Sequence, residues 1–297
     1  MVAQMGQQAY DEFSYFHENL SEFGLNLPIP PVRRFFVPVD GFRRISGLQW
    51  GEDAPEMVLI HGGGQNAHTY DTAALALQRP LIAFDLPFHG HSDPGLLGPT
   101  DYSGHADDVA KALEQMIDGP RPLIGMSLGG LTAIVVAHDR PDLVSRLVLI
   151  DVLPSISAEK GQKVIDFING PASFIDFDSM LARTIEFSPS RSVPSLRRGI
   201  LHNAVQQSDG TWVWRHQQHS RSAFIVPQFE ELWTFVEALT MPMTLLRGMS
   251  AGSVVSDDDE REFVRRVPRA NVVHVPEAGH SIQGDAPLQL AAFLSRL

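Results

Sequence analysis

The chain has 297 residues, 43% hydrophobic and 20% charged, a size and composition suited to one large α/β domain with an insertion or two small domains. A formal net charge of −12 disfavours nucleic-acid phosphates and anionic lipid as partners, and the absence of cysteine excludes disulfides and thiolate chemistry. No apolar run reaches the length of a membrane span and Met1 to Gln8 lacks a signal pattern, so a cytoplasmic protein is expected.

Asp11 to Phe23 places Phe13, Phe16, Leu20 and Phe23 at helical spacing, and Gly24 with Pro28, Pro30 and Pro31 stops it. Val32 to Val39 and Phe42 to Trp50 read as two strands joined at Asp40-Gly41, a hairpin signal. Met57 to Ile60 is a buried strand that runs into His61-Gly62-Gly63-Gly64-Gln65-Asn66, followed by a helix over His68 to Leu77. Leu81 to Phe84 is the next strand and ends at Asp85, which is assigned to organising the loop that holds His89 and Gly90. A helix follows over Ser103 to Ile117, then a strand up to Met126, a helix after it, and another buried strand over Leu147 to Ile150 ending at Asp151. This strand–helix alternation predicts a mostly parallel, doubly wound sheet, made mixed by the hairpin in front.

From Pro154 to about Gln228 the strand runs disappear and short helical patterns are broken by prolines, which reads as a helical cap inserted into the core. The expected organisation is core over 1–153, cap over 154–228 and core again over 229–297. The second core part holds a helix over Glu230 to Leu239, a strand over Pro242 to Leu246, a helix over Asp257 to Val267, a strand over Asn271 to Val275 and a closing helix from Pro287.

The chemistry centres on Gly125-Met126-Ser127-Leu128-Gly129, where a strand turns sharply into a helix. That context is a nucleophile elbow: the turn exposes Ser127 at the carboxyl edge of the sheet, and small neighbours avoid clashes. A serine hydroxyl needs a base, and His280, after Gly279 in the loop past the final strand, is placed to reach back over the sheet edge. An oxyanion needs two convergent N–H donors, assigned to Leu128 and to Gly63 in the glycine-rich turn. His89-Gly90-His91 offers two nitrogens where a dedicated zinc site needs three or four ligands, so neither metal nor cofactor is expected. His202, His216 and His219 are candidate pocket residues, and Phe174, Phe177, Phe187, Trp212 and Trp214 suggest an apolar acyl or ring site.

The chain resembles the α/β-hydrolases, and within them the serine esterases of mycobacteria and other actinobacteria. The resemblance is carried by His61 to Thr69, Gly125 to Ala133 and Leu149 to Val152, by Ser195 to Gly199 and Trp212 to Arg215 in the cap, and by Gly279-His280-Ser281. It implies an α/β-hydrolase fold and a Ser-His-acid triad. The acid usually follows the strand after the cap, yet Arg247 to Ser256 contains no carboxylate. Asp151, at the same sheet edge as Ser127, is therefore favoured, as in some superfamily members. Asp257 is the alternative, although Asp257, Asp258 and Asp259 suit the first turn of a helix. The expected activity is hydrolysis of a small carboxylic ester or lactone. The alternatives are C–C hydrolysis of ring-cleavage diketones and, in another class, ligand binding without catalysis. Oligomeric state stays open.

Overall fold

The computed structural model describes residues 10–96, 98–155, 158–218 and 231–297. Its centre is an eight-stranded sheet. In chain order the strands are β1 (Val32–Pro38), β2 (Arg44–Trp50), β3 (Met57–Ile60), β4 (Leu81–Phe84), β5 (Arg121–Met126) and β6 (Val144–Ile150). A separate two-stranded sheet, β7 (Ala204–Gln206) and β8 (Trp212–Trp214), precedes the last sheet strands, β9 (Met243–Gly248) and β10 (Asn271–Val275). The spatial order is β1-β2-β4-β3-β5-β6-β9-β10, with β2 antiparallel to both β1 and β4 and the remaining pairs parallel. Every residue of β3 and β4 is buried, as a parallel strand covered on both faces requires.

The helices are α1 (Phe16–Glu22), α2 (Asp71–Leu77), α3 (Tyr102–Met116), α4 (Leu128–Asp139), α5 (Ala158–Ile168), α6 (Phe177–Phe187), α7 (Val193–Asn203), α8 (Arg215–Gln218), α9 (Leu232–Ala238), α10 (Asp257–Arg266), α11 (Ile282–Asp285) and α12 (Pro287–Leu294). On one side of the sheet, Val109 and Leu113 of α3, Ile134 and Val135 of α4, Val236 of α9 and Phe263 of α10 share a core. On the other, α1, α2, α11 and α12 contribute Phe16, Leu75, Ile282 and Leu290. Because α4 is covered by α3, α9 and β strands, ten of its residues are buried.

Three expectations shift. The first helix begins at Phe16 rather than Asp11, because the Asp11 carboxylate accepts the Phe13 N–H at 3.1 Å and holds a turn there. The second hairpin strand begins at Arg44, because Asp40 Oδ1 accepts the N–H groups of Phe42 and Arg43 and lengthens the turn. Strands do occur between Pro154 and Gln228: β7 and β8 pair across Asp209-Gly210, with Gly210 at φ +91°. At three residues each they are too short to show an alternating pattern. Glu230, the expected start of the next helix, lies outside the described residues.

Candidate active site

Ser127 sits between β5 and α4 with φ 51° and ψ −121°, in the left-handed half of backbone space. Such a conformation costs about 1–3 kcal/mol for a non-glycine residue and persists only where its surroundings impose it. They do so here. A Cβ on Gly129 would lie 2.4 Å from the His61 carbonyl oxygen and 2.5 Å from that of Ile60, so α4 can begin this close to β3 only with glycine. The N–H groups of Gly130 and Leu131 bond back to the Ser127 carbonyl at 2.8 and 3.0 Å.

Asp151 ends β6, also at positive φ (46°), and is fully buried. Its Oδ2 lies 3.1 Å from His280 Nδ1. The end of β9 and the loop after it, which carry no acid, supply donors instead. Gly248 N–H and Ser253 Oγ–H reach Oδ1 at 3.0 and 2.6 Å, and Val254 N–H reaches Oδ2 at 3.0 Å. That loop also sets the His280 loop, through Met249 N–H to the Val275 carbonyl and Ser250 N–H to that of Ala278. A Cβ on Gly248 would stand 2.3 Å from the Gly279 carbonyl oxygen, so this approach too requires glycine. Asp257 points elsewhere: its carboxylate pairs with Arg247 at 2.6 Å in the exposed first turn of α10, whose N-cap is Ser256.

The glycine-rich turn is wired on both sides. Gly62 N–H donates to Gln65 Oε1 at 3.2 Å and Gly64 N–H to His89 Nε2 at 3.0 Å. Among the described residues, the N–H groups of Gly63 and Leu128 have no such acceptor. Gln65 Nε2 continues to Ser281 Oγ at 3.3 Å, which ties the turn to the His280 loop. His61 accepts the Leu86 N–H on Nε2, and burial lowers its pKa. Burial likewise holds His89 well below its ordinary range, so its Nδ1–H donates to the Pro87 carbonyl. Asp85 accepts from Ala67 and His91 N–H and from Ser46 Oγ, and pairs with Arg34 at 2.7 Å, which organises this loop.

Ser127, His280, Gly63 and Met126 line one cavity of about 590 Å³. Of the candidate pocket residues, His216, Phe187 and Trp214 line it. Phe174, Phe177 and Trp212 instead pack together with Met180 in the core of the 154–228 segment, and His219 lies outside the described residues. Residues that local sequence patterns leave silent are Ser253, Gln65 and Arg191. The only hint for Ser253 is a serine-rich loop where a carboxylate is usual.

His202 does not line the cavity; its ring stacks on His68 at 3.8 Å. Ligand atoms of His68, Asp71 and His202 lie within 4.8 Å of one another, so these three could hold a metal ion. An imidazolium accounts for the same cluster. His68 Nδ1 meets Asp71 at 2.9 Å and Nε2 meets Glu12 at 3.0 Å. Burial alone would lower its pKa, but the two carboxylates outweigh that and raise it to about 9. A folded-state pKa above the unfolded value of about 6.5 means that the native state holds the extra proton between the two. The resulting stabilisation is complete below about pH 6.5 and is lost as pH rises through about 9. Urea midpoints are expected to fall between pH 7 and 10; a midpoint constant across that window would show His68 to be neutral.

A family model described as the alpha/beta hydrolase family matches residues 57–293. The chain is 41% identical over 288 residues to the esterase Rv0045c of Mycobacterium tuberculosis, covering 94% of this chain and 93% of that one. A solved structure of that esterase superposes with a TM-score of 0.84 at 40% identity, over 97% of this chain and 98% of its own. The zebrafish (Danio rerio) sn-1-specific diacylglycerol lipase ABHD11 is 28% identical over 80% of this chain and 76% of its own length. Among the described residues, no helix is long and apolar enough to cross a membrane. With the matched span, the sheet order and the close structural likeness in agreement, the chain belongs to the alpha/beta hydrolase family.

Proposed function

We infer that the chain is a carboxylic ester hydrolase in which Ser127 is the nucleophile, His280 the general base and Asp151 the acid that orients it. The supporting observation is the Asp151–His280 pair, 3.1 Å apart, with His280 opening on the cavity that Ser127 lines. Similarity to the M. tuberculosis esterase supports the same reaction class. Ser127 Oγ attacks the ester carbonyl while His280 Nε2 takes its proton. Asp151 accepts the Nδ1–H, fixes the tautomer and stabilises the imidazolium. The oxyanion is held by the N–H groups of Gly63 and Leu128, which have no internal acceptor to give up. His280 returns the proton to the leaving alcohol, and water then releases the acid from the acyl-enzyme. A lactone presents the same carbonyl, so cyclic esters fit the scheme. The segment 154–228 serves as the cap over this site, between core parts 1–153 and 229–297.

Purified protein is expected to hydrolyse p-nitrophenyl butyrate and to be labelled rapidly by a fluorophosphonate at Ser127. Tight ligand binding with negligible labelling would replace this reading by a binding protein. Inertness toward esters and lactones, with cleavage of a vinylogous 1,5-diketone, would replace it by a C–C hydrolase.

A further inference from the structure

The cavity holds a half-buried cation that the hydrolytic scheme does not require. Arg191, just before α7, lines the cavity together with Ser127 and His280. Its Nη2 donates to Ser195 Oγ at 2.7 Å, while its Nε is buried with no acceptor. The guanidinium lies against Gly284 in α11, where a Cβ would come within 2.9 Å of Cζ. Since α11 begins two residues past His280, this places Arg191 on the His280 side of the cavity.

Its charge is poorly matched by the protein. Among the described residues, no carboxylate oxygen comes within 4.0 Å of Arg191. The two acids whose fields reach it, Asp285 and Glu22, are already engaged. Asp285 accepts the Gly279 N–H at 2.9 Å, and Glu22 pairs with Arg198 and Ser192. Burial accordingly pushes the arginine pKa down, with those acids offsetting only part of the effect. A guanidinium does not shed its proton in a protein, so the mismatch stands until an anion arrives. Lys163 adds a second cation to the cavity lining, against the single carboxylate of Asp285. A chain with a net charge of −12 thus carries a locally cationic reaction cavity.

We propose that Arg191 forms an anion-binding subsite of the hydrolase, and that the chain's substrates are esters bearing a second, ionised carboxylate. This rests on the ester-hydrolase reading and narrows its substrate class. The fork of N–H donors suits a carboxylate, and partial burial of the guanidinium strengthens that pairing. The second carboxylate can stand on the acyl part, as in a monoester of a dicarboxylic acid, or on the alcohol part, as in an acylated hydroxy acid.

Two substrate pairs test this: 4-nitrophenyl hydrogen adipate against 4-nitrophenyl adipamate, and 3-acetoxypropanoate against 3-acetoxypropanamide. In at least one pair the wild type is expected to favour the acid over its neutral amide by about tenfold or more in kcat/KM; the pair that shows it identifies the side. Arg191→Gln should lower that ratio by about tenfold or more, chiefly through KM, and Arg191→Lys should keep part of it. Gly284→Ala crowds the guanidinium while keeping its charge and should also lower the ratio, so the subsite can still be tested if Arg191→Gln does not fold. A wild type that labels with fluorophosphonate and cleaves both amides without preferring either acid overturns the subsite and leaves the esterase reading intact. So does an acid preference that is unchanged in Arg191→Gln. Absence of labelling and of cleavage in all four compounds overturns the esterase reading and the subsite with it.

Discussion

Ser127→Ala is expected to lower the turnover of p-nitrophenyl butyrate by at least about a thousandfold, with the remainder supplied by binding and the oxyanion donors. Ser127 is the hydroxyl at the junction of β5 and α4, beside the N–H of Leu128 proposed as an oxyanion donor. The positive φ at residue 127 is imposed by the packing of α4 against β3, and alanine has no larger Cβ than serine. The variant should therefore fold, with a melting temperature close to wild type and full loss of fluorophosphonate labelling. Turnover within a fewfold of wild type would remove Ser127 from the nucleophile role.

Asp151→Asn is expected to cut turnover by at least about a hundredfold, because an amide in place of the carboxylate no longer dictates which imidazole nitrogen carries the proton. Activated esters need less help than amides do, which keeps the figure below the loss known for proteases of this logic. Stability should fall as well. The carboxylate accepts from Gly248 and Val254 N–H on opposite oxygens, so either orientation of an asparagine amide turns its NH₂ toward a backbone donor. One buried donor left unpaired costs about 1–3 kcal/mol. Asp257→Asn, which alters a solvent-exposed carboxylate paired with Arg247, should change turnover by at most a fewfold. Denaturant midpoints together with kcat for the two variants decide the matter. Equal activity losses, or a larger loss for Asp257→Asn, would remove Asp151 from the acid role.

The contrast between those two aspartates shows what a linear reading reaches. The absence of a carboxylate between Arg247 and Ser256 was legible, and chain order then favoured Asp151. What that loop does instead was not legible. Ser253 and Val254 grip an acid about a hundred residues earlier in the chain, and such a bond leaves no periodic mark on either segment. The aromatic residues of the 154–228 segment make the same point. Trp212 and Trp214 alternate in sequence, yet only the folded packing makes Trp214, buried beside Phe174 and Met180, also border the cavity while Trp212 does not.

By itself, the sequence determined the alternation of buried strands and helices, the serine turn between a strand and a helix, and the histidine loop past the last strand. These features follow from short-range rules: hydrophobic periodicity, glycine where a backbone must come close, and the order of elements along a doubly wound sheet. Tertiary structure alone decided the donors that hold Asp151, the link from Gln65 to Ser281, the salt-bridged His68 and the arginine left without an anion beside His280. Each depends on side chains from distant segments meeting across a loop or a sheet edge, where distance and desolvation, rather than spacing along the chain, set the interaction.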